Sequence, residues 1–130
     1  MATIFTRIIQ GEIPGTFVWR DDDAVAFLSI NPISRGHTLV VPIAEVEHWI
    51  DLPDGLASHL MTVSTRLGRA VQAAFQPVKV GLVIAGYEVP HTHLHVIPTW
   101  SMADLDFRNA AAGVDREVLE ETAEQIRSHL

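Results

Sequence analysis

Val89-Pro90-His91-Thr92-His93-Leu94-His95-Val96-Ile97-Pro98 places three of the chain's seven histidines at alternate positions. Val and Ile favour a strand here, and Pro90 and Pro98 bracket the run. Alternate side chains of a strand share a face. His91, His93, His95 and Ile97 are therefore expected on one side, with Thr92, Leu94 and Val96 on a core-facing side. At strand rise, imidazoles two residues apart stand roughly 6.5 Å apart, about the width of a phosphate with its ligands. Three uses compete for such a row. The histidines are structural, satisfied by hydrogen bonds in the core or between subunits. Or they ligate a metal, with His37 as third ligand and Glu88 as a carboxylate. Or one imidazole attacks phosphorus while its neighbours fix its tautomer and donate to the phosphate oxygens. Three rings in a row span roughly 13 Å, too far for one ion to hold them all. A central nucleophile flanked on both sides accounts for both the number and the alternation.

Outward from this stretch, the rest of the chain supplies a sheet and helices to carry it. Ile4, Phe5, Ile8 and Ile9 recur at helical spacing behind Thr3, a cap residue. Gly11 to Gly15 ends that helix. Residues 16–20 and 24–30 read as strands joined through Asp21-Asp22-Asp23, a solvated hairpin turn. Residues 37–42 form a third strand, with His37, Leu39 and Val41 on one face. Residues 44–50 suggest a short helix. A long helix is expected from about 54 to 75, with Leu56, Leu60, Val63, Leu67, Ala70 and Ala74 as its apolar stripe. Residues 78–85 read as a fourth strand buried on both faces. A terminal helix over 115–129 turns Val118, Leu119, Ala123 and Ile126 inward. The order predicts an α+β fold with a mostly antiparallel sheet, in one domain covering 1–130.

Composition narrows the function. The chain has 130 residues, a net charge of −7 and no cysteine. Thiolate zinc sites and disulfides are excluded, and the acidic balance argues against a nucleic-acid-coating surface. No apolar run is long enough for a membrane span, and the N-terminus lacks the pattern of a signal peptide. A cytoplasmic protein is expected. An anionic ligand has to be held locally, by imidazoles, backbone N–H groups or a single arginine.

His91-Thr92-His93-Leu94-His95-Val96-Ile97 resembles the histidine triad motif of the HIT superfamily. The resemblance extends upstream through Thr3-Ile4-Phe5, Ile8-Ile9, Gly11-Glu12-Ile13-Pro14, Ala26-Phe27, Pro32 and Gly36-His37-Thr38-Leu39-Val40-Val41-Pro42, and covers roughly residues 3–100. It implies a HIT-like fold: a five-stranded antiparallel sheet with one long helix and short N- and C-terminal helices, usually paired into a homodimer. It implies a small-molecule purine nucleotide as substrate, no cofactor, and hydrolysis of a phosphoramidate or dinucleoside polyphosphate through a nucleotidyl-histidine. By the same resemblance His93 is the nucleophile, His95 contacts phosphate, and His91 and His37 support the site. Ile4, Phe5, Ile8, Phe27 and Ile30 line the purine pocket. His95 in the third triad position points to the Hint-like or Fhit-like hydrolase branches.

Four departures from the family pattern stand out. Ser29 replaces the acidic residue or Asn that binds the ribose hydroxyls. The loop before the triad lacks the phosphate-gripping Asn and Gln, and Glu88 stands at a Ser or Thr position, where it repels phosphate or donates a proton to a leaving amine. Thr92 replaces an apolar residue. Thr3 and Thr6 stand where zinc-binding members carry Cys-x-x-Cys, so no structural zinc is expected. Two rivals follow: a HIT-fold nucleotide-binding protein with weak or no catalysis, and a His-liganded metal-dependent enzyme. Trp49 and Trp100 are expected to pack or to lie at a dimer interface, with Trp100 a candidate cover for the site. Arg35 is expected in a solvated loop, and His48, His59 and His129 at the surface or packed on a helix; residues after 100 are the candidate stretch for substrate identity.

Overall fold

The computed structural model describes residues 2–130. Strands β1 (Phe17–Arg20), β2 (Ala24–Leu28), β3 (Thr38–Pro42), β4 (Lys79–Val83) and β5 (Leu94–Thr99) form one antiparallel sheet in the order β1-β2-β3-β5-β4. Helices α1 (Ile4–Ile9), α2 (Asp54–Phe75) and α3 (Arg116–Arg127) complete the α+β fold.

The sheet's two faces do different work. One face buries Val18, Ala24, Ala26, Leu28, Val40, Leu94 and Val96 against Leu60, Val63, Leu67, Ala70 and Val71 of α2 and Leu119, Ala123 and Ile126 of α3. The other face carries Val25, Phe27, Leu39 and Val41, covered by Phe5 of α1. Register then builds a row across that second face: Phe17 opposes Phe27, Phe27 opposes Leu39, and Leu39 opposes His95. The alternation of strand side chains thus sends apolar residues to the helices and delivers a histidine to the opposite side.

Local chemistry sets the element ends. Thr3 caps α1, its hydroxyl accepting from the Thr6 N–H at 3.1 Å. Asp21 Oδ1 accepts from the N–H groups of Asp23 and Ala24 and closes the β1–β2 turn. Gln76 ends α2 in the left-handed region, and Pro77 follows.

Several elements differ from their sequence-based expectation. Residues 89–93 are not strand; β5 begins at Leu94, so pleating does not place His91 and His93. Ile97 is fully buried and not exposed on a ledge. The 44–50 helix reduces to a single 3-10 turn at Trp49–Asp51, because Val46 O is engaged by the N–H and hydroxyl of Thr92. β4 is an edge strand with Leu82 partly exposed, not one buried on both faces, since it pairs only with β5. On α3, Thr122 turns inward and Val118 outward; the Thr122 hydroxyl is satisfied by Val118 O at 2.8 Å. His59 has a partner: its Nε2 lies 2.7 Å from Asp21 Oδ2, which also accepts from Trp19 Nε1. No helix is long and apolar enough to cross a membrane among the described residues.

Gly36 immediately precedes His37 and has φ +103; a Cβ there would lie 2.6 Å from the ring of Phe75. Gly55, in the first turn of α2, has open space around it. Urea denaturation should therefore separate two Gly→Ala variants. Gly36→Ala is expected to lose about 2 kcal/mol or more. Gly55→Ala is expected to gain roughly 0.5–1 kcal/mol.

Candidate functional site

A cavity of about 510 Å³ opens on the second face of the sheet, within the size range of small-molecule sites. Ile4, Phe5 and Ile8 of α1 and Phe27 of β2 form its apolar wall, with Ser29, Ile30, His37, Glu88, His93 and His95 also lining it. Every residue expected to touch a substrate is therefore at the cavity. His91 is the exception among the histidines: it is fully buried behind them.

Hydrogen bonds assign the protons. His91 Nε2 lies 2.7 Å from Pro42 O, which only accepts, so this nitrogen carries hydrogen. His91 Nδ1 then accepts from the Thr3 hydroxyl at 2.7 Å. His93 Nδ1 donates to His91 O at 2.7 Å, which leaves the Nε2 lone pair of His93 bare. The backbone N–H of Ile33 donates to His37 Nδ1 at 3.1 Å, so His37 holds its proton on Nε2. That proton is donated to His95 Nδ1 at 2.9 Å. His95 in turn carries its hydrogen on Nε2. The free nitrogens of the row are thus one acceptor, on His93, and one donor, on His95.

The rings are closer than a flat strand would set them. His93 and His95 have centroids 4.9 Å apart and meet edge to face. Phe5 packs on His93 at 4.9 Å and Phe107 on His95 at 4.8 Å. Burial, reinforced by the neighbouring charge of His93, lowers His37 to about 4. Burial with His37 and His93 lowers His95 to about 3. His93 is also held below its ordinary value, by burial first, while its bond to the His91 carbonyl and the charge of Glu88 pull the other way. All three rings are neutral at pH 7, as the tautomer chain requires.

Both His37 nitrogens are committed to hydrogen bonds, so His37 is not available as the third metal ligand that the spacing suggested. The zinc position of the Cys-x-x-Cys members is filled differently here. Thr6 donates to Glu45 at 2.5 Å, Thr3 to His91, and the Thr3 N–H to Glu45 at 2.9 Å. Two hydroxyls and a spoken-for imidazole do not fit a structural zinc ion.

Sequence reasoning missed part of the wall. Phe107, Ala110, Ala111, Ala112, Arg116 and Leu119 line the cavity from the C-terminal segment of the same chain. Phe107, an aromatic in a polar stretch, was the one available signal. Trp100 does not reach the cavity, and Arg35 instead bonds Gln125 at 2.9 Å.

The fold and site have counterparts. A family model described as HIT domain matches residues 10–102. The chain is 34% identical over 106 residues to Protein hit of Bacillus subtilis, covering 78% of this chain and 73% of that one. It is 34% identical over 98 residues to adenosine 5'-monophosphoramidase HNT1 of Saccharomyces cerevisiae, covering 75% and 62%. Among solved structures, a Hit-like protein involved in cell-cycle regulation from Bartonella henselae superposes with a TM-score of 0.88 at 30% identity, covering 98% and 96%. The chain belongs to the HIT domain family.

The lowered histidines make stability pH-dependent in a defined direction. Unfolded histidine titrates near 6.5, and the folded chain resists protonation until about 4 at His37 and about 3 at His95. Below pH 6.5 the unfolded state binds more protons, so their contribution is present above 6.5 and is lost as pH falls toward 4 and 3. Urea midpoints should fall between pH 7 and 4.5, and more shallowly in His37→Asn.

Proposed function

We propose that the protein is a nucleotide hydrolase acting on purine nucleoside 5'-phosphoramidates through a covalent nucleotidyl-His93 intermediate. The carrying observation is the pair of free nitrogens: a bare Nε2 on His93 beside an Nε2–H on His95, in a cavity of nucleotide size. The yeast relative's name, adenosine 5'-monophosphoramidase, supports the same reading.

The base rests on Phe5, Phe27, Ile4 and Ile8, which gives apolar contact without hydrogen-bond selection. His93 Nε2 attacks phosphorus, forming a P–N bond to the ring as the P–N bond to the leaving amine breaks. The amine departs carrying a proton from solvent. His95 Nε2–H donates to a non-bridging oxygen as charge develops there. Positive charge on the His93 ring is stabilised by its Nδ1–H···O=C bond to His91. His91 is a positioning residue: pinned at both nitrogens, it holds the carbonyl that orients His93. Water then attacks phosphorus, releases the nucleoside monophosphate and restores the imidazole.

Glu88 supports the choice of leaving group. It is the only carboxylate among the described cavity-lining residues, and its charge acts on His93. A carboxylate repels the extra phosphates of a dinucleoside polyphosphate and tolerates a neutral or cationic amine. The reading extends to a cytoplasmic homodimer. Leu82 on the β4 edge and Met61 on α2 are exposed side chains that line the same shallow groove, a surface a second copy would cover.

His93→Ala should lower turnover of adenosine 5'-phosphoramidate on the order of a thousandfold or more. Full activity in that variant overturns the mechanism. Because His93 stays neutral below its ordinary value, kcat/KM should hold level from pH 8 down past 6.5 and fall only in more acid solution. Glu88→Gln should raise the rate on diadenosine polyphosphate relative to phosphoramidate; an unchanged ratio removes Glu88 from leaving-group selection.

A further inference from the structure

Residues 110–116 cross the β2–β3 connection as a strap. Ala111 N–H donates to Pro32 O at 2.9 Å and Val114 N–H to Ile30 O at 3.1 Å. Gly113 N–H donates to Asn31 Oδ1 at 2.9 Å. Arg116 follows the strap's last bond by two residues, and Ser29, Asn31 and Arg116 all line the cavity.

The three share one hydrogen-bonding sense. Ser29 Oγ accepts from the Asn31 N–H at 3.2 Å, which leaves its hydroxyl proton to give. Asn31 Oδ1 is engaged by Gly113, which leaves its amide N–H groups. Arg116 has donors only, is exposed, and forms no ion pair among the described residues. Arg116 is also the one guanidinium in the cavity wall. The adjacent Asp115 and Glu117 are not part of that wall. A ribose diol brings two protons of its own and wants acceptors; this wall offers donors and a positive charge. The group that matches it is acceptor-only and anionic. With phosphorus at His93 and the base on the apolar wall, the part of a nucleotide left for these polar groups is the sugar.

We propose that Ser29, Asn31 and Arg116 form a subsite for a phosphate on the ribose, so that the preferred nucleotides carry a 2'- or 3'-phosphate besides the 5'-phosphoryl group. The proposal rests on the nucleotide reading of the cavity. A neutral Ser29 belongs to it as much as Arg116 does, because a carboxylate at that position would repel the phosphate.

Calorimetric titration of the full chain with AMP, adenosine 2',5'-bisphosphate and adenosine 3',5'-bisphosphate tests it. One bisphosphate should bind roughly tenfold or more tighter than AMP, and which one names the position. Arg116→Gln and Ser29→Asp should each bring that bisphosphate down to the affinity of AMP. AMP binding as tightly as both bisphosphates overturns the subsite while leaving the nucleotide reading standing. A bisphosphate preference that survives Arg116→Gln overturns the assignment to these residues. Failure of all three nucleotides to bind removes the nucleotide reading and the subsite with it.

Discussion

One backbone N–H, that of Ile33, sets the direction of every proton along the outer half of the histidine row. By donating to His37 Nδ1 it forces the His37 proton onto Nε2, and so makes His95 accept at Nδ1 and donate at Nε2. Rotated the other way, His95 would present a lone pair beside the lone pair of His93. Two acceptors facing one phosphate would repel its oxygens. The Ile33 N–H is available because the β2–β3 connection is a compact loop closed by Gly36 at positive φ. A glycine next to His37 thus helps decide the polarity of the site.

This dependence explains why burial and chemistry agree here. Protonating His37 would cost it the bond from Ile33, because a charged imidazole donates at both nitrogens. Protonating His95 would set two donors against each other. Burial first, with the neighbouring histidine charges, lowers both rings, and the tautomer chain requires the same neutral state. The inner half of the row is fixed by an independent device. His91 is clamped between Thr3 and Pro42, and its carbonyl takes the proton of His93. Helix α1 therefore serves the inner half twice: its cap residue Thr3 holds His91 and its Phe5 packs on His93.

Much of this was legible from residue types and spacing. The helix stripe of α2, the capping by Thr3 and the turns at Asp21 and Gly36 are local signals that tertiary packing did not override. The grouping of His37, His91, His93 and His95 followed from the motif. Its geometry did not. Alternation suggested a continuous strand, but His91 and His93 lie before β5 begins, in an irregular segment whose Thr92 N–H bonds back to Val46. Period-two spacing cannot distinguish a pleated strand from an irregular segment that brings every second side chain to a shared region. The both-faces-buried reading of β4 failed for a related reason. An apolar run reports low polarity, while burial depends on having a neighbour, and β4 is the last strand of its sheet.

The C-terminal segment shows where sequence reasoning stops. Its contribution to the cavity depends on two backbone–backbone hydrogen bonds and one to the Asn31 side chain, all to residues 30–32 roughly eighty positions away, which no local pattern encodes. Arg116 follows the last of these bonds by two residues and lines the cavity, which bears on how a chain of net charge −7 would hold the proposed anion. Long-range attraction is against it. Inside the cavity, however, only Glu88 is acidic, while His95, Ser29, Asn31 and Arg116 all present hydrogen. At contact distances in a partly desolvated site, a few oriented donors outweigh a diffuse field that salt screens within about 8–10 Å. The one carboxylate among the described lining residues acts on His93, while the one guanidinium comes from the strap that is bonded to residues 30–32. On the proposed reading, that division of charge would order a nucleotide along its length, with the poorer place for negative charge at the leaving group and the better one at the sugar.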